Sequence, residues 1–186
     1  MFHVIDRVLI PRPMSQGVHA LFHVAAPELN LVQRLQLIPE FTTLVTAVVA
    51  GGLAGTLSGA GPFTVFAPDN FAFDRLPNGV LPALLQNKTL LDEILTYHVV
   101  SGNVSSSQLT NGEKVATVNG QSITVTIFNE PRPAPHEVIV LDESAQHHGS
   151  FVTLPNNYAS NGVFHSVSEV LIPAARMAEL AKQYKQ

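Results

Sequence analysis

The chain has 186 residues, of which 46% are hydrophobic and 13% charged, with a formal net charge of −4. This balance excludes a disordered chain, and the scattered basic residues give no electrostatic reason to expect a nucleic-acid partner. No apolar run reaches the roughly 18 residues that a membrane-spanning helix needs, and the absence of cysteine excludes disulfides and thiol catalysis.

The chain opens with an apolar segment, which begins with Phe2 and ends with Pro11, that repeats the pattern of residues 164–173. Both copies contain Phe-His and, after the same gap, Val-Leu-Ile-Pro. Such a copy predicts a tandem array, and the alternative is a chance likeness between two short apolar strands. We interpret residues 1–13 as the last strand of a preceding domain. A strand without its parent domain is expected to pair with a sheet edge of a neighbouring molecule, giving a homodimer.

Residues 14–27 are predicted to form a linker, because prolines and small polar residues dominate its start. Asp6 and Arg7 interrupt the apolar run that a secretory signal would need. If the parent protein is secreted, we expect its signal to have been removed or to lie upstream.

The first half of the domain is predicted to be helical, because apolar residues recur there at helical spacing. The spacing predicts helices over 29–38, 41–49, 81–86 and 90–100, with a turn over 53–57. Asp92 and Glu93 lie near the predicted start of the last helix, where they would complement its dipole.

A buried strand is predicted over 63–68, where a proline stops it. Asp69 and Asn70 follow as a turn or helix cap. Asp69 could alternatively be read as a catalytic acid or metal ligand, but capping is the commoner role of a carboxylate at this position.

The period changes to two after residue 115, which predicts strands. Asn119 and Gly120 form a strong hairpin signal between the first two strands. Further strands are predicted over 138–141, 151–154 and 163–172, with a proline-rich loop over 129–136. Residues 174–186 are predicted to form a helical tail with its lysines near the end.

Three stretches resemble the signatures of fasciclin-type domains. They are Gly-Pro-Phe-Thr-Val-Phe-Ala-Pro-Asp-Asn-Phe-Ala-Phe at 61–73, Leu-Thr-Tyr-His-Val-Val at 95–100, and Asn-Gly-Val-Phe-His at 161–165 with Val-Leu-Ile-Pro at 170–173. The resemblance covers about residues 28–173 and implies an α+β fold in which a helical layer packs on an antiparallel β-wedge. The structural signature residues that it singles out are Thr64, Phe66, Pro68, Asp69, Asn70, Asn161, Gly162 and His165.

The resemblance implies a non-enzymatic function in cell adhesion or in association with the extracellular matrix or cell surface. Its partner would be a cell-surface receptor or matrix component, and tandem domains would gain avidity through linked sites. In some relatives the Tyr-His dipeptide is linked to integrin recognition, so Tyr97 and His98, flanked by Leu95 and Val99, are the partner-binding candidates. Physical reasoning favours a core role for a tyrosine and a histidine inside an apolar run. The Asp-Ile pair that precedes the third signature in some relatives is missing here.

A second function implied by the resemblance is that of a secreted accessory protein, since fungal fasciclin-type proteins accompany oxidases that couple phenols. This role would require a concave apolar pocket. Asn87 and Asn103 each begin an Asn-x-Ser/Thr tripeptide, which makes them candidates for glycosylation in a secreted protein.

No motif in the chain indicates an enzyme or a cofactor. His147 and His148 are adjacent, so their side chains diverge, and no helical histidine pair with a following ligand occurs. Neither a nucleophile motif of the Gly-x-Ser-x-Gly type nor a phosphate-binding glycine loop is present. We therefore predict no catalytic residues, no metal and no cofactor.

Overall fold

The computed structural model describes residues 29–128, 137–141, 149–173, 175–176 and 180. The predictions of an opening strand remnant over 1–13, a linker over 14–27 and a loop over 129–136 lie outside the described residues. The same holds for His147, for His148 and for most of the predicted tail.

Helices occupy most of the first half of the described chain, as the apolar spacing predicts, but the helix predicted over 90–100 ends at Tyr97, and a strand begins at Val99. They are α1 (Leu31–Gln36), α2 (Thr42–Gly51), α3 (Ala54–Ser58), α4 (Asn70–Asp74), α5 (Val80–Gln86) and α6 (Lys88–Tyr97), with 3₁₀ turns at Pro39–Phe41 and Ser106–Gln108. The turn predicted over 53–57 was wrong, because α3 occupies most of it. Leu57 is buried in the core from this short helix, so tertiary packing overrides a local sequence rich in glycine.

Side-chain caps determine where three of these helices begin, and Asn30 caps α1 by accepting the Gln33 N–H. Asp69 accepts a hydrogen bond from the Ala72 N–H at 2.8 Å, which is the capping contact that the sequence favours for α4. Asn87 accepts from the Leu90 N–H and starts α6 earlier than the periodicity predicts. Asp92 and Glu93 therefore lie beyond the first turn, and the contribution to the helix dipole predicted for them is wrong.

The strands form one seven-stranded sheet in the described part of the chain, in the order β2-β1-β7-β6-β5-β4-β3. They are β1 (Phe63–Pro68), β2 (Val99–Ser101), β3 (Lys114–Ala116), β4 (Ser122–Phe128), β5 (Glu137–Leu141), β6 (Ser150–Ala159) and β7 (Gly162–Val167). The described pairs are antiparallel except for β1 and β7, which run parallel, so the predicted wedge is a mixed sheet. Val118 N–H donates to the Val99 carbonyl at 2.7 Å, so the two ends of the sheet meet.

Alternation along β1 divides the core into two clusters. Val65 and Ala67 point into a larger cluster with the apolar faces of the helices, whereas Phe66 points into a smaller one. Phe164 of β7 joins the larger cluster, where its ring lies edge-on to that of Phe41 at 5.6 Å. Helices on one side and curled strands on the other make this an α+β fold, as predicted.

Two glycines allow β1 and β7 to meet at their starts. A Cβ atom at Gly162 would overlap the carbonyl oxygen of Phe63, and one at Gly61 would overlap the carbonyl oxygen of Asn161. The parallel pair of β1 and β7 therefore requires residues without side chains at both positions.

Candidate functional site

The four partner-binding candidates lie in the interior. The exposed fractions of Leu95, Tyr97, His98 and Val99 are 5%, 0%, 2% and 4%. The Tyr97 hydroxyl donates to the Ser122 carbonyl at 3.3 Å, inside the smaller core cluster. In the folded domain a partner cannot contact these side chains directly, and only an opening of the core would expose them.

His98 connects α6 to the segment after β7. Its Nδ1 donates to the Ile94 carbonyl at 2.7 Å, and its Nε2 accepts the Leu171 N–H at 2.9 Å. Burial lowers the pKa of His98 to about 4, because the charged ring would lose its hydration, while the hydrogen bond to Ile94 acts in the opposite direction. His98 is therefore neutral at physiological pH, and both ring nitrogens serve the fold.

His165 likewise connects β7 to a bend within β6 and to the loop that follows β2. Its Nδ1 accepts the Asn156 N–H at 3.1 Å, and its Nε2 donates to the Val104 carbonyl at 2.9 Å. Burial lowers the pKa of His165, and the bond to Val104 opposes the shift. Asn156 has a φ of 61°, so His165 stabilises a left-handed bend within β6.

Thr64 and Asn161, two other signature residues, also bond the backbone of distant segments. The Thr64 hydroxyl donates to the Gly102 carbonyl at 2.7 Å and accepts the Val104 N–H at 2.8 Å. Asn161 accepts the Leu31 N–H at 2.9 Å, and its Nδ2 donates to the carbonyls that end α3, at 2.8 and 2.9 Å. Each of these hydrogen bonds joins two distant segments of this chain, so we assign both side chains a role in stabilising the fold.

Asn70 fastens α4 to the start of α2. Its Oδ1 accepts the Thr43 N–H and its Nδ2 donates to the Pro39 carbonyl, each at 3.0 Å. Phe66 and Pro68 are buried in β1. The signature residues are thus distributed through the scaffold, and the structure does not gather them at one surface site.

Within the described residues, one candidate for a binding surface is a groove of about 860 Å³ beside α6. We call it the α6 groove. Its walls are one side of α6, the turn between β3 and β4, and residues that follow β7. It is lined by Lys88, Thr89, Asp92, Glu93, Thr96, Asn119, Gln121, Ala175 and Arg176.

An ion pair closes one side of the α6 groove. Arg176 Nε donates to Glu93 Oε2 at 2.6 Å, and Arg176 Nη2 donates to Glu93 Oε1 at 2.9 Å. These charge-assisted bonds lower the pKa of the Glu93 carboxyl below its usual value. Sequence reasoning missed this groove, because Asn119 and Arg176 are far from α6 in the chain. The only available signal was the row of charged residues on α6 itself.

The remaining surface features concern the glycosylation and membrane predictions. Asn87 and Asn103 are both exposed, although the Asn87 side chain also caps α6. Within the described ranges, no three histidine or acidic side chains gather where they could hold a metal ion. Among those same residues, no helix combines the length and apolar character needed to cross a bilayer.

The fold of this chain is similar to that of a known class of domain. The chain superposes on a FAS1 domain pair from the insect cell adhesion molecule fasciclin I with a TM-score of 0.61. The sequence identity is 14%, and the match covers 80% of this chain and 52% of that one. The helical layer and curled sheet are therefore those of a single FAS1 domain.

The family follows from the sequence itself. The fasciclin domain model matches residues 39–173, and the chain belongs to the fasciclin domain family. This confirms the resemblance inferred from the three signature stretches.

Two relatives show how widely the family extends. Protein sll1483 of Synechocystis sp. is 41% identical over 135 residues, which are 72% of this chain and 67% of that protein. Transforming growth factor-beta-induced protein ig-h3 of Sus scrofa is 28% identical over 169 residues, which are 89% of this chain but 23% of that protein.

Proposed function

We propose that this protein is a non-enzymatic association module that attaches to a cell-surface or extracellular-matrix partner. The observation that supports this proposal best is its membership of the fasciclin domain family, whose fold it shares with an insect cell adhesion molecule. In this proposal the module works outside the cell, and Asn103 is the more accessible of the two glycosylation candidates.

The geometry of the scaffold favours binding through surface side chains. The signature residues Thr64, Asn161 and His165 each bond backbone groups of distant segments. Rigid scaffolds of this kind present partners with loops and outward helix faces. Tyr97 and His98 then act by keeping the fold intact rather than by touching the partner.

The proposal is tested by attachment of cells to immobilised protein. Synechocystis cells and animal fibroblasts would be compared on the native chain, on the heat-unfolded chain and on albumin. We expect attachment to the native chain alone. Equal attachment on the native chain and on albumin for both cell types would contradict the proposal.

A matched pair of variants separates a structural role of Tyr97 from a contact role. Tyr97→Phe removes only the hydroxyl that bonds Ser122, so we expect attachment to persist while the variant stays folded. Loss of attachment by a folded Tyr97→Phe protein would instead support direct recognition through this segment.

We further propose that the module belongs to a tandem array in its parent protein. The opening segment from Phe2 to Pro11 repeats the pattern of residues 164–173. The match to ig-h3, which covers less than a quarter of that protein, fits one domain among several.

The same segment supports the proposal of a strand-mediated homodimer. In this dimer the segment from Phe2 to Pro11 of one copy pairs with a sheet edge of the second copy. Light scattering on the chain with and without residues 1–13 tests it. We expect a dimer that weakens after the deletion, and an unchanged mass would rule out this dimer.

A further inference from the structure

Four asparagines in the chain are each followed by glycine, and this pair of residues is chemically labile. The pairs begin at Asn78, Asn111, Asn119 and Asn161. In such a pair the glycine nitrogen attacks the side-chain carbonyl carbon of the asparagine, so that a ring forms and ammonia leaves. Water then opens the ring at either carbonyl, which gives aspartate or isoaspartate. Glycine favours the attack because it has no Cβ to hinder it and adopts conformations that other residues avoid.

The pair that begins at Asn111 lies in the turn before β3, where both reacting groups are hydrogen-bonded. Asn111 Oδ1 accepts the Ile127 N–H at 2.9 Å. The Gly112 N–H donates to the Val125 carbonyl at 2.7 Å. For the attack, the side-chain amide must turn towards the glycine nitrogen, and that nitrogen must be able to lose its proton. Both hydrogen bonds must therefore break before this pair can react.

The pairs that begin at Asn119 and Asn161 are restrained in the same way. The Asn119 amide bonds backbone groups of two other residues, and the Gly120 N–H donates to the Thr117 carbonyl at 3.0 Å. The Asn161 amide forms three hydrogen bonds with the backbone, and Gly162 is buried at the start of β7. The fold thus holds both amides away from the geometry that the attack needs.

The pair of Asn78 and Gly79 has no such restraint. Both residues are exposed in the turn between α4 and α5. Among the residues that the structure describes, none forms a hydrogen bond with the Asn78 side chain or with the Gly79 N–H. The turn is closed by the hydrogen bond from the Val80 N–H to the Pro77 carbonyl at 3.0 Å, which engages neither reacting group.

We propose that Asn78 is the residue at which this domain deamidates spontaneously, with water as the co-reactant. The reaction there needs a side-chain rotation and a local adjustment of an exposed turn. The other three pairs must first break hydrogen bonds, which lowers the population of the reactive conformation. We therefore expect Asn78 to react at least about tenfold faster than any of the other three asparagines in the folded chain.

The two products differ in their effect on the start of α5. Both add a negative charge, but isoaspartate also adds a carbon atom to the main chain within the turn. Val80 follows this turn directly and is only 2% exposed, so a lengthened turn cannot be accommodated without moving a side chain of the core. We expect the isoaspartyl form to unfold at a lower temperature than the unmodified chain.

Incubation of the folded full chain in mildly alkaline ¹⁸O-labelled water locates the reaction. Digestion then takes place in ordinary water, and tandem mass spectrometry identifies the labelled residues. The label marks deamidation that occurred in the protein rather than in its peptides. We expect it first at Asn78. The same incubation in guanidinium chloride removes the fold, and all four asparagines should then react at similar rates.

A variant without the amide gives a second readout. Asn78→Ser keeps a small polar side chain in the turn, so isoelectric focusing should show acidic species accumulating in the native chain but hardly in the variant. Label at Asn111, Asn119 or Asn161 appearing as fast as at Asn78 in the folded chain would overturn the proposal. So would the absence of label at Asn78.

Thermal unfolding tests the consequence for α5. The isoaspartyl form, isolated by chromatography, is compared with Asn78→Asp, which carries the same charge on a main chain of normal length. We expect the midpoint of unfolding to fall for the isoaspartyl form and to stay near the native value for Asn78→Asp. Equal midpoints for the two forms would contradict the coupling between this turn and the buried Val80.

Discussion

The two faces of α6 differ in what their side chains contact. On the inner face, Tyr97 and His98 have bonding partners within the protein and almost no exposed surface. On the outer face, Lys88 is exposed and Asp92 has an oxygen that bonds nothing in the described structure. The comparison indicates that Tyr97 and His98 serve the fold of this domain, whereas the Lys88 side chain lies at the surface.

The largest expected effect comes from breaking the inner face. His98→Ala leaves the Leu171 N–H and the Ile94 carbonyl without their side-chain partner and opens a cavity, so we expect the free energy of unfolding to fall by about 4 kcal/mol. Urea denaturation measures it. If the alanine variant does not fold, His98→Gln should fold with a smaller loss. A loss below about 1 kcal/mol for either variant would contradict the interior role of His98.

Lowering the pH should weaken the hydrogen bonds of His98 without any mutation. The pKa of His98 is about 4 in the folded domain and near 6.5 when unfolded. The unfolded chain therefore binds more protons between these values, so stability is complete above pH 6.5 and falls as the pH drops towards 4. We expect this histidine alone to remove roughly 3 kcal/mol over that window.

Denaturation curves at several pH values, compared between the native chain and His98→Gln, isolate this contribution from that of the carboxylates. Protonation places an N–H on Nε2, where it faces the Leu171 N–H. An identical slope of stability against pH in both proteins would show that His98 is not the responsible group.

A smaller loss is expected at Asn161, which joins α1 and α3 to the start of β7. Asn161→Ala removes three hydrogen bonds, of which two are partly buried and one is exposed, and we expect a loss of about 2 kcal/mol. Thermal unfolding gives the measurement, with Asn103→Ala as the exposed control. Equal effects of the two substitutions would mean that Asn161 is not a structural tie.

The smallest effect on stability is expected on the outer face. Glu93→Gln replaces one member of an ion pair whose side chains are each 37% exposed, and solvent screening limits the loss to less than about 1 kcal/mol. A loss of stability as large as that of His98→Ala would remove the distinction between the two faces.

Local patterns predicted much of the fold. The apolar run of β1 ends at Pro68, the Asp69 cap begins α4, and the alternation over β4 produces a strand. Each depends on residues that are close in sequence, such as a proline that lacks an N–H or a carboxylate three positions from an amide. The burial of Tyr97 and His98 also agrees with their position inside an apolar run.

The sequence did not predict contacts between segments that are far apart in the chain. The parallel pairing of β1 with β7 joins stretches about a hundred residues apart, and it depends on the close approach that Gly61 and Gly162 allow. The α6 groove likewise combines a helix, the β3–β4 turn and Arg176.

The sequence by itself thus determined the family, most of the helices and strands and the Asp69 cap of α4, because these features follow from local spacing and side-chain chemistry. The tertiary structure alone decided which charges would be satisfied, since a carboxylate finds its donor only when the chain folds. Glu93 meets Arg176, whereas Asp92 one position earlier has an oxygen with no partner in the described chain.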